Sequence, residues 1–293
     1  MKAVLCKELG PPETLVVEEV PEPVVEPDQV LIDVHACGIN FPDVLIIQGK
    51  YQVRPELPFS PGAEVSGEVV EVGDEVEDVE VGTRVLAPTS FGGLAERVAV
   101  DAGRVVPIPD EMDFVTASGF LLVYGTAYHA LKQRAELQSG ESLLVLGAAG
   151  GVGLATVELG SAMGAKVIAA ASTEEKLALA KAHGAELGIN YVEEDLKARI
   201  KELTDGQGVD VVCDPVGGDY TEAALRGTAW KGRLLVVGFA AGTIPDLPAN
   251  LPLLKGCSIV GVFWGSFDRR QPRESRQNNR ELLEMYVRGE IEP

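Results

Sequence analysis

The chain has 293 residues, of which 46% are hydrophobic, and carries a formal net charge of −20. That length suits two domains better than one, and the apolar share supports a sizeable core. The acidic balance excludes the basic footprint that nucleic-acid binding needs, and no apolar run of about 18 residues is present to span a membrane.

In chain order, Met1-Lys2-Ala3-Val4-Leu5-Cys6-Lys7-Glu8 is charged too soon for a signal peptide. It reads as the first strand of a cytoplasmic protein. The first 110 residues or so are β-rich, with period-2 or β-branched stretches at Leu15–Val20, Gln29–His35, Val65–Val72, Thr83–Ala87 and Ala95–Val100. Gly10-Pro11-Pro12, Pro21-Glu22-Pro23, Pro61-Gly62 and Gly73-Asp74 punctuate them as turns. A short helix is expected from about Pro42 to Gln48, and this half is expected to form a partly open barrel.

The rhythm then changes. Thr116–Ala135 reads as one long helix with small residues along it. Strands and helices alternate after it. Leu143–Leu146, Lys166–Ala171, Gly188–Asn190, Val209–Cys213, Arg233–Val237 and Ser258–Phe263 are the expected strands. The intervening helices fall at Val152–Met163, Glu174–His183, Glu194–Thr204, Tyr220–Trp230 and a turn near Ala249–Lys255, with a last, Arg/Glu-rich helix at Arg273–Gly289. Six strands with right-handed crossovers make a doubly wound parallel sheet, so the fold class is α/β with a β-rich companion domain. Cys6, Cys37, Cys213 and Cys257 are widely separated with no C-x-x-C spacing, which disfavours disulfides and zinc and suits reduced, buried thiols.

The stretch Ser142–Thr156 organises the second half. A continuously apolar strand, Leu143–Leu146, leads into Ala148-x-Gly150-x-x-Gly153 and then into an apolar helix. Glycines there let the backbone approach a pyrophosphate, and the helix N-terminus offers it free N–H groups. Gly150, Gly151, Val152 and Gly153 are therefore candidate cofactor-binding residues. The alternative is a tight turn that binds nothing.

The tip of the second strand discriminates between cofactors. NAD enzymes carry Asp or Glu there, for the ribose hydroxyls. This chain has Ala171-Ser172-Thr173-Glu174-Glu175-Lys176. Ser172 does not repel a 2′-phosphate and Lys176, one helical turn on, can neutralise it, which points to NADPH. Ser172 is equally placed to N-cap the helix, with Glu175 completing a capping box.

Four motifs, Gly38-Ile39-Asn40-Phe41-x-Asp43, Pro61-Gly62-x-Glu64-x-x-Gly67, Gly125-Thr126-Ala127-Tyr128 and Ala148–Gly153, together resemble the zinc-free quinone oxidoreductase branch of the medium-chain dehydrogenase/reductase superfamily. The resemblance covers essentially the whole chain. It implies a GroES-like catalytic domain at 1–121, a Rossmann NADP-binding domain at 122–261 and a segment at 262–293 returning to the catalytic domain. Zinc members have Cys where this chain has Asn40, and His where it has Ala63, so no metal is expected.

Hydride transfer from NADPH to a quinone or activated alkene is implied. Asn40 and Tyr51 would sit beside the nicotinamide and substrate, with Asp43 the third polar group of that motif. Tyr191 would join Ser172 and Lys176 around the 2′-phosphate. Val237-Gly238-Phe239 and Val262-Phe263-Trp264 would wall the nicotinamide, although the aromatics are as well suited to core packing, and Thr126 is a further cofactor-binding candidate. Pairing of the last Rossmann strand implies a homodimer. The chain stops at Gly289-Glu290-Ile291-Glu292-Pro293, where the resemblance implies a further strand and helix, so a shortened chain is expected. An enoyl-thioester or enone reductase fits the same residues, as does a protein that holds NADPH without turnover.

Overall fold

A computed structural model describes residues 1–293. The chain divides into two compact units, Met1–Leu122 with Pro293, and Val123–Glu292.

In the first unit, β1 (Lys2–Leu5) and β2 (Val16–Glu19) pair as an antiparallel ribbon. β3 (Gln29–Gly38) leads through α1 (Phe41–Ile47) to β4 (Glu64–Val72), β5 (Arg84–Pro88), β6 (Arg97–Asp101) and the short β7 (Val106–Pro107). The last five strands form an antiparallel sheet in the order β6-β3-β4-β5-β7. Alternation in the sequence becomes one buried face: Val30 and Ile32, Val65 and Val69, Val85 and Ala87, Val98 and Val100. The β3–β4 register shifts twice, at Leu31/Ile32 and Val34/Ala36. Such bulges bend a strand and increase its twist.

The stretch 116–135 does not run as one helix. α2 (Phe114–Ser118) ends at Gly119, whose N–H turns back to Thr116 O at 3.3 Å. A π-helical turn at Leu121–Gly125, α3 (Thr126–His129) and a second π-helical turn at Ala130–Arg134 follow. Gly119 and Gly125 weaken a regular helix at these points. The division between the two units falls here, after Leu122.

The second unit takes β8 (Ser142–Leu146), α4 (Gly151–Ala162), β9 (Lys166–Ala171), α5 (Glu174–Ala182), β10 (Leu187–Asn190), α6 (Leu196–Leu203), β11 (Val209–Asp214), α7 (Asp219–Gly227), β12 (Thr228–Val236), α8 (Asn250–Lys255) and β13 (Ser258–Gly261) in strict alternation. Its sheet is parallel throughout, in the order β10-β9-β8-β11-β12-β13. This is the doubly wound order, with the switch point at the C-terminal ends of β8 and β11. All four residues Leu143–Leu146 have 0% exposure, which explains the unbroken apolar run in the sequence.

β12 begins at Thr228, five residues before the expected Arg233, and β13 stops at Gly261. α9 (Trp264–Arg270) then forms where no helix was expected, and α10 (Pro272–Val287) follows it. The segment expected to return to the β-rich half from residue 262 groups with the second unit as far as Glu292. The physical reason is a polar seam: Lys132 Nζ and the Tyr128 hydroxyl both reach the Glu281 carboxylate. Gln133 and Asn278 exchange amide hydrogen bonds of 3.0 and 3.1 Å there. No helix is long and apolar enough to cross a membrane.

Candidate active site

Asn40 owes its position to a close approach. A Cβ on Gly38 would lie 2.1 Å from the Ser118 carbonyl oxygen, so only glycine lets β3 end against α2. Two residues on, Asn40 stands at the N-cap of α1. Asp43 Oδ2 accepts the Asn40 backbone N–H at 2.8 Å, and its Oδ1 accepts the Gly62 N–H at 3.2 Å. Asp43 is buried, and burial pushes its carboxyl up while the backbone N–H groups of Asn40, Gly62 and Ala63 pull it down. Both its oxygens are committed to the backbone, so Asp43 holds the start of α1 and the Pro61-Gly62 turn together.

The half-buried side chain of Asn40 meets a residue that the sequence presented only as part of a motif. Its Nδ2 donates to Glu64 Oε1 at 2.9 Å, and Glu64 Oε2 accepts the Leu122 N–H at 2.9 Å. Glu64 is 2% exposed. Burial pushes its carboxyl up to about 7, against the hydrogen bonds from Asn40, Leu122 and Leu121 that pull it down and with Asp43 adding repulsion. The only sequence signal was its place in Pro61-Gly62-x-Glu64-x-x-Gly67.

Tyr51 packs at the edge of a small cluster of Cys6, Ile46, Ile47 and Phe59. Burial, and then the nearby Asp43 charge, raise its hydroxyl above the ordinary range. His35 stacks on Phe114 at 4.3 Å, and burial pushes Cys37 up to about 12, so both are packing residues.

In the second unit the Gly-rich turn is sterically enforced. A Cβ on Gly153 would lie 2.1 Å from the Gly147 carbonyl oxygen. Gly150 is the N-cap of α4 with no side-chain cap, so its first turn presents backbone N–H groups outward. The residue types fit a pyrophosphate, because a helix N-terminus favours anions and glycine allows contact.

At the tip of β9, the cap of α5 is Thr173, whose hydroxyl accepts the Lys176 N–H at 3.3 Å. This corrects the Ser172 capping alternative. Ser172 is left free to accept from Lys176 Nζ at 3.0 Å and to hydrogen-bond the Tyr191 hydroxyl. Ser172, Lys176 and Tyr191 therefore converge as a phosphate site requires. Tyr191 in turn lies against Tyr220, centroid to centroid 4.3 Å, and Tyr220 had no signal in the sequence. The nearby Glu174 carboxylate turns to Asn190 Nδ2 at 3.4 Å.

The expected nicotinamide-end residues divide. Val237 and Gly238 are tied to Asp214 O at 3.0 and 3.3 Å, and Phe239 packs beside Gly217. Thr126 begins α3, half-buried. Val262 and Trp264 are buried and Phe263 is exposed. The Trp264 indole lies where a Cβ on Gly125 would be 2.8 Å from its Nε1, so Trp264 serves as a packing partner of the Gly125-Thr126 turn.

Comparison with known proteins places this arrangement. A family model described as the alcohol dehydrogenase GroES-like domain matches residues 26–110, and one described as zinc-binding dehydrogenase matches 151–284. The chain is 45% identical to a quinone oxidoreductase-like protein 2 homolog of Nematostella vectensis, over 99% of this chain and 80% of that one. The quinone oxidoreductase of Escherichia coli, crystallised with NADPH, superposes with a TM-score of 0.94 at 29% identity, over 100% of this chain and 90% of that one. That of Thermus thermophilus, solved alone and with NADPH, gives 0.85 at 38% identity over the same shares.

The raised Glu64 carboxyl generates a pH dependence. The folded state holds this proton more tightly than the unfolded chain, so the group's contribution to stability is greatest at low pH. It falls as pH rises from the ordinary 4.5 toward about 7. Glu64→Gln removes the titration. Melting temperatures across that range should show the wild type losing up to about 3 kcal/mol relative to the variant. Parallel curves would show that Glu64 ionises normally.

Proposed function

The chain belongs to the quinone oxidoreductase branch of the medium-chain dehydrogenase/reductase superfamily, a family of oxidoreductases. From that premise we propose that it reduces a quinone or an activated alkene with NADPH and without zinc. The observation that carries the cofactor assignment is the Ser172–Lys176–Tyr191 cluster at the tip of β9. A carboxylate at that tip would select against a 2′-phosphate; a hydroxyl beside an ammonium selects for it.

When bound, NADPH supplies the hydride. The residues of the chain bind and orient. Gly150 to Gly153 take the pyrophosphate on backbone N–H groups, and Ser172, Lys176 and Tyr191 take the 2′-phosphate. Thr126, Val237, Gly238, Phe239 and Val262-Phe263-Trp264 shape the surroundings of the nicotinamide. Asn40 and Tyr51 donate hydrogen bonds to the oxygen of the acceptor, and Asp43 keeps Asn40 at the start of α1. Zinc independence is supported by the chemistry of the donor positions: Asn40 and Ala63 offer neither thiolate nor imidazole.

The Asn40 carboxamide favours an enone over a quinone as the more demanding acceptor. Hydride addition leaves negative charge on oxygen in both, but the enolate formed from an enone is more basic than the delocalised anion of a hydroquinone and gains more from a fixed N–H. We also propose a homodimer joined through β13, which ends the parallel sheet and leaves Ile259 exposed; an open apolar edge is an aggregation risk that a second copy covers.

NADPH should bind at least about tenfold more tightly than NADH, and Ser172→Asp should erase or reverse that preference at a cost of about 1–3 kcal/mol. Titration calorimetry of both cofactors checks it, and equal affinities in the unmodified protein would defeat the assignment. Asn40→Ala and Tyr51→Phe should slow enone reduction by up to about 2.7–4 kcal/mol in the barrier and quinone reduction by less. Equal losses on both acceptors, tracking a fall in melting temperature, would make these residues structural. Sedimentation at micromolar concentration should show a dimer; a monomer would contradict the β13 pairing.

A further inference from the structure

We propose that Glu64 is a positioning residue that fixes which end of the Asn40 carboxamide faces the acceptor, an inference that rests on the role of Asn40 proposed above. The two side chains lie 24 residues apart in sequence and meet at 2.9 Å, Asn40 Nδ2 donating to Glu64 Oε1. An ionised carboxylate only accepts hydrogen bonds, so it selects the nitrogen end of the amide and rejects the oxygen end. Glu64 cannot turn away, because its other oxygen accepts the Leu122 N–H at 2.9 Å and the side chain is 2% exposed. The approach is further confined by β3, where a Cβ on Gly38 would lie 3.0 Å from Glu64 Oε1. One N–H of Asn40 is thus spent on Glu64, and its second N–H is held in a set direction away from the carboxylate.

Carboxamide rotation is otherwise inexpensive for a half-buried asparagine at a helix start. Without a partner that distinguishes nitrogen from oxygen, Asn40 would present donor and acceptor in turn, and only the donor stabilises a developing oxyanion. Burying a carboxylate between two donors is costly, and Asp43 nearby adds repulsion. The arrangement makes sense if the fixed amide orientation is what the site requires.

Glu64→Gln separates this role from mere packing. Glutamine has the same shape but only one accepting atom. The Leu122 N–H is fixed in the backbone, so the oxygen of the introduced amide stays with it and the NH2 group of that amide faces Asn40. The Asn40 amide must then rotate to offer Oδ1, carrying Nδ2 to the opposite side. The experiment measures kcat and KM for an enone with NADPH, NADPH affinity by calorimetry and thermal melting, on the alkaline side of the Glu64 titration. The proteins are the wild type, Glu64→Gln, Asn40→Ala and the double variant. Glu64→Gln should stay folded and bind NADPH normally, with kcat lowered by about tenfold or more. In the Asn40→Ala background the same change should have no further effect, since the group it orients is gone. A Glu64→Gln enzyme with wild-type kcat, or two losses that multiply in the double variant, would overturn the positioning role while leaving that of Asn40 intact. Wild-type kinetics for Asn40→Ala would overturn both.

Discussion

The strongest constraint on the second unit is the contact between the start of α4 and the end of β8. With Gly153 in place, the helix approaches the Gly147 carbonyl to a distance at which any side chain would collide. That closeness sets α4 on the sheet and points its uncapped N-terminus past the end of β8. It also lets Leu143–Leu146 be covered completely, so the central strand can be apolar at every position. The rest of the sheet extends from this strand on both sides, and the tip of β9, with Ser172 and Lys176, follows from its register with β8.

The first unit is organised by polar groups. Asp43 and Glu64 are both buried carboxylates, and each is matched by donors: backbone N–H groups of Asn40 and Gly62 for one, the Asn40 amide and the Leu122 N–H for the other. Asn40 is the residue they share. Its backbone is fixed by Asp43 and its side chain by Glu64, which is a high degree of preorganisation for one amide. Networks of this kind cost desolvation and return a defined geometry. In an oxidoreductase whose hydride comes from a bound cofactor, geometry and hydrogen-bond donation are the main things the protein has to supply.

The parallel sheet was readable from the sequence because its signals are local. Short apolar runs separated by helical periodicity, with glycines at the β8–α4 turn, identify the strands along the chain. The missing carboxylate after β9 was legible for the same reason. Less local features were not. The cap of α5 moved by one residue, to Thr173, because Ser172 and Thr173 have equivalent capping chemistry and Ser172 is engaged instead by the Lys176 side chain one turn on and by Tyr191. The break in 116–135 was missed because Gly119 and Gly125 read as small residues along one helix, whereas they mark the points where regular helix gives way to a turn and to π-helical turns. α9 was hidden because Val262-Phe263-Trp264 continues the apolar pattern of β13. Glu64 was seen as a motif position, but its contact with Asn40 depends on how β4 pairs with β3 across two register shifts. Tyr220 reaches Tyr191 across the fold, and no sequence pattern announces that meeting.

Isotope transfer tests most directly whether this chain passes hydride from NADPH to a carbon or quinone acceptor. The protein would be incubated with an enone and NADPH deuterated at both positions of the hydride-bearing nicotinamide carbon, and the product examined by mass spectrometry and NMR. The account predicts one deuterium per product molecule, bonded to carbon at the electrophilic position, with no transfer in the absence of the protein. Tight NADPH binding with no deuterium in any product, across enones and with no NADPH consumed by quinones, would contradict it and leave a cofactor-holding protein.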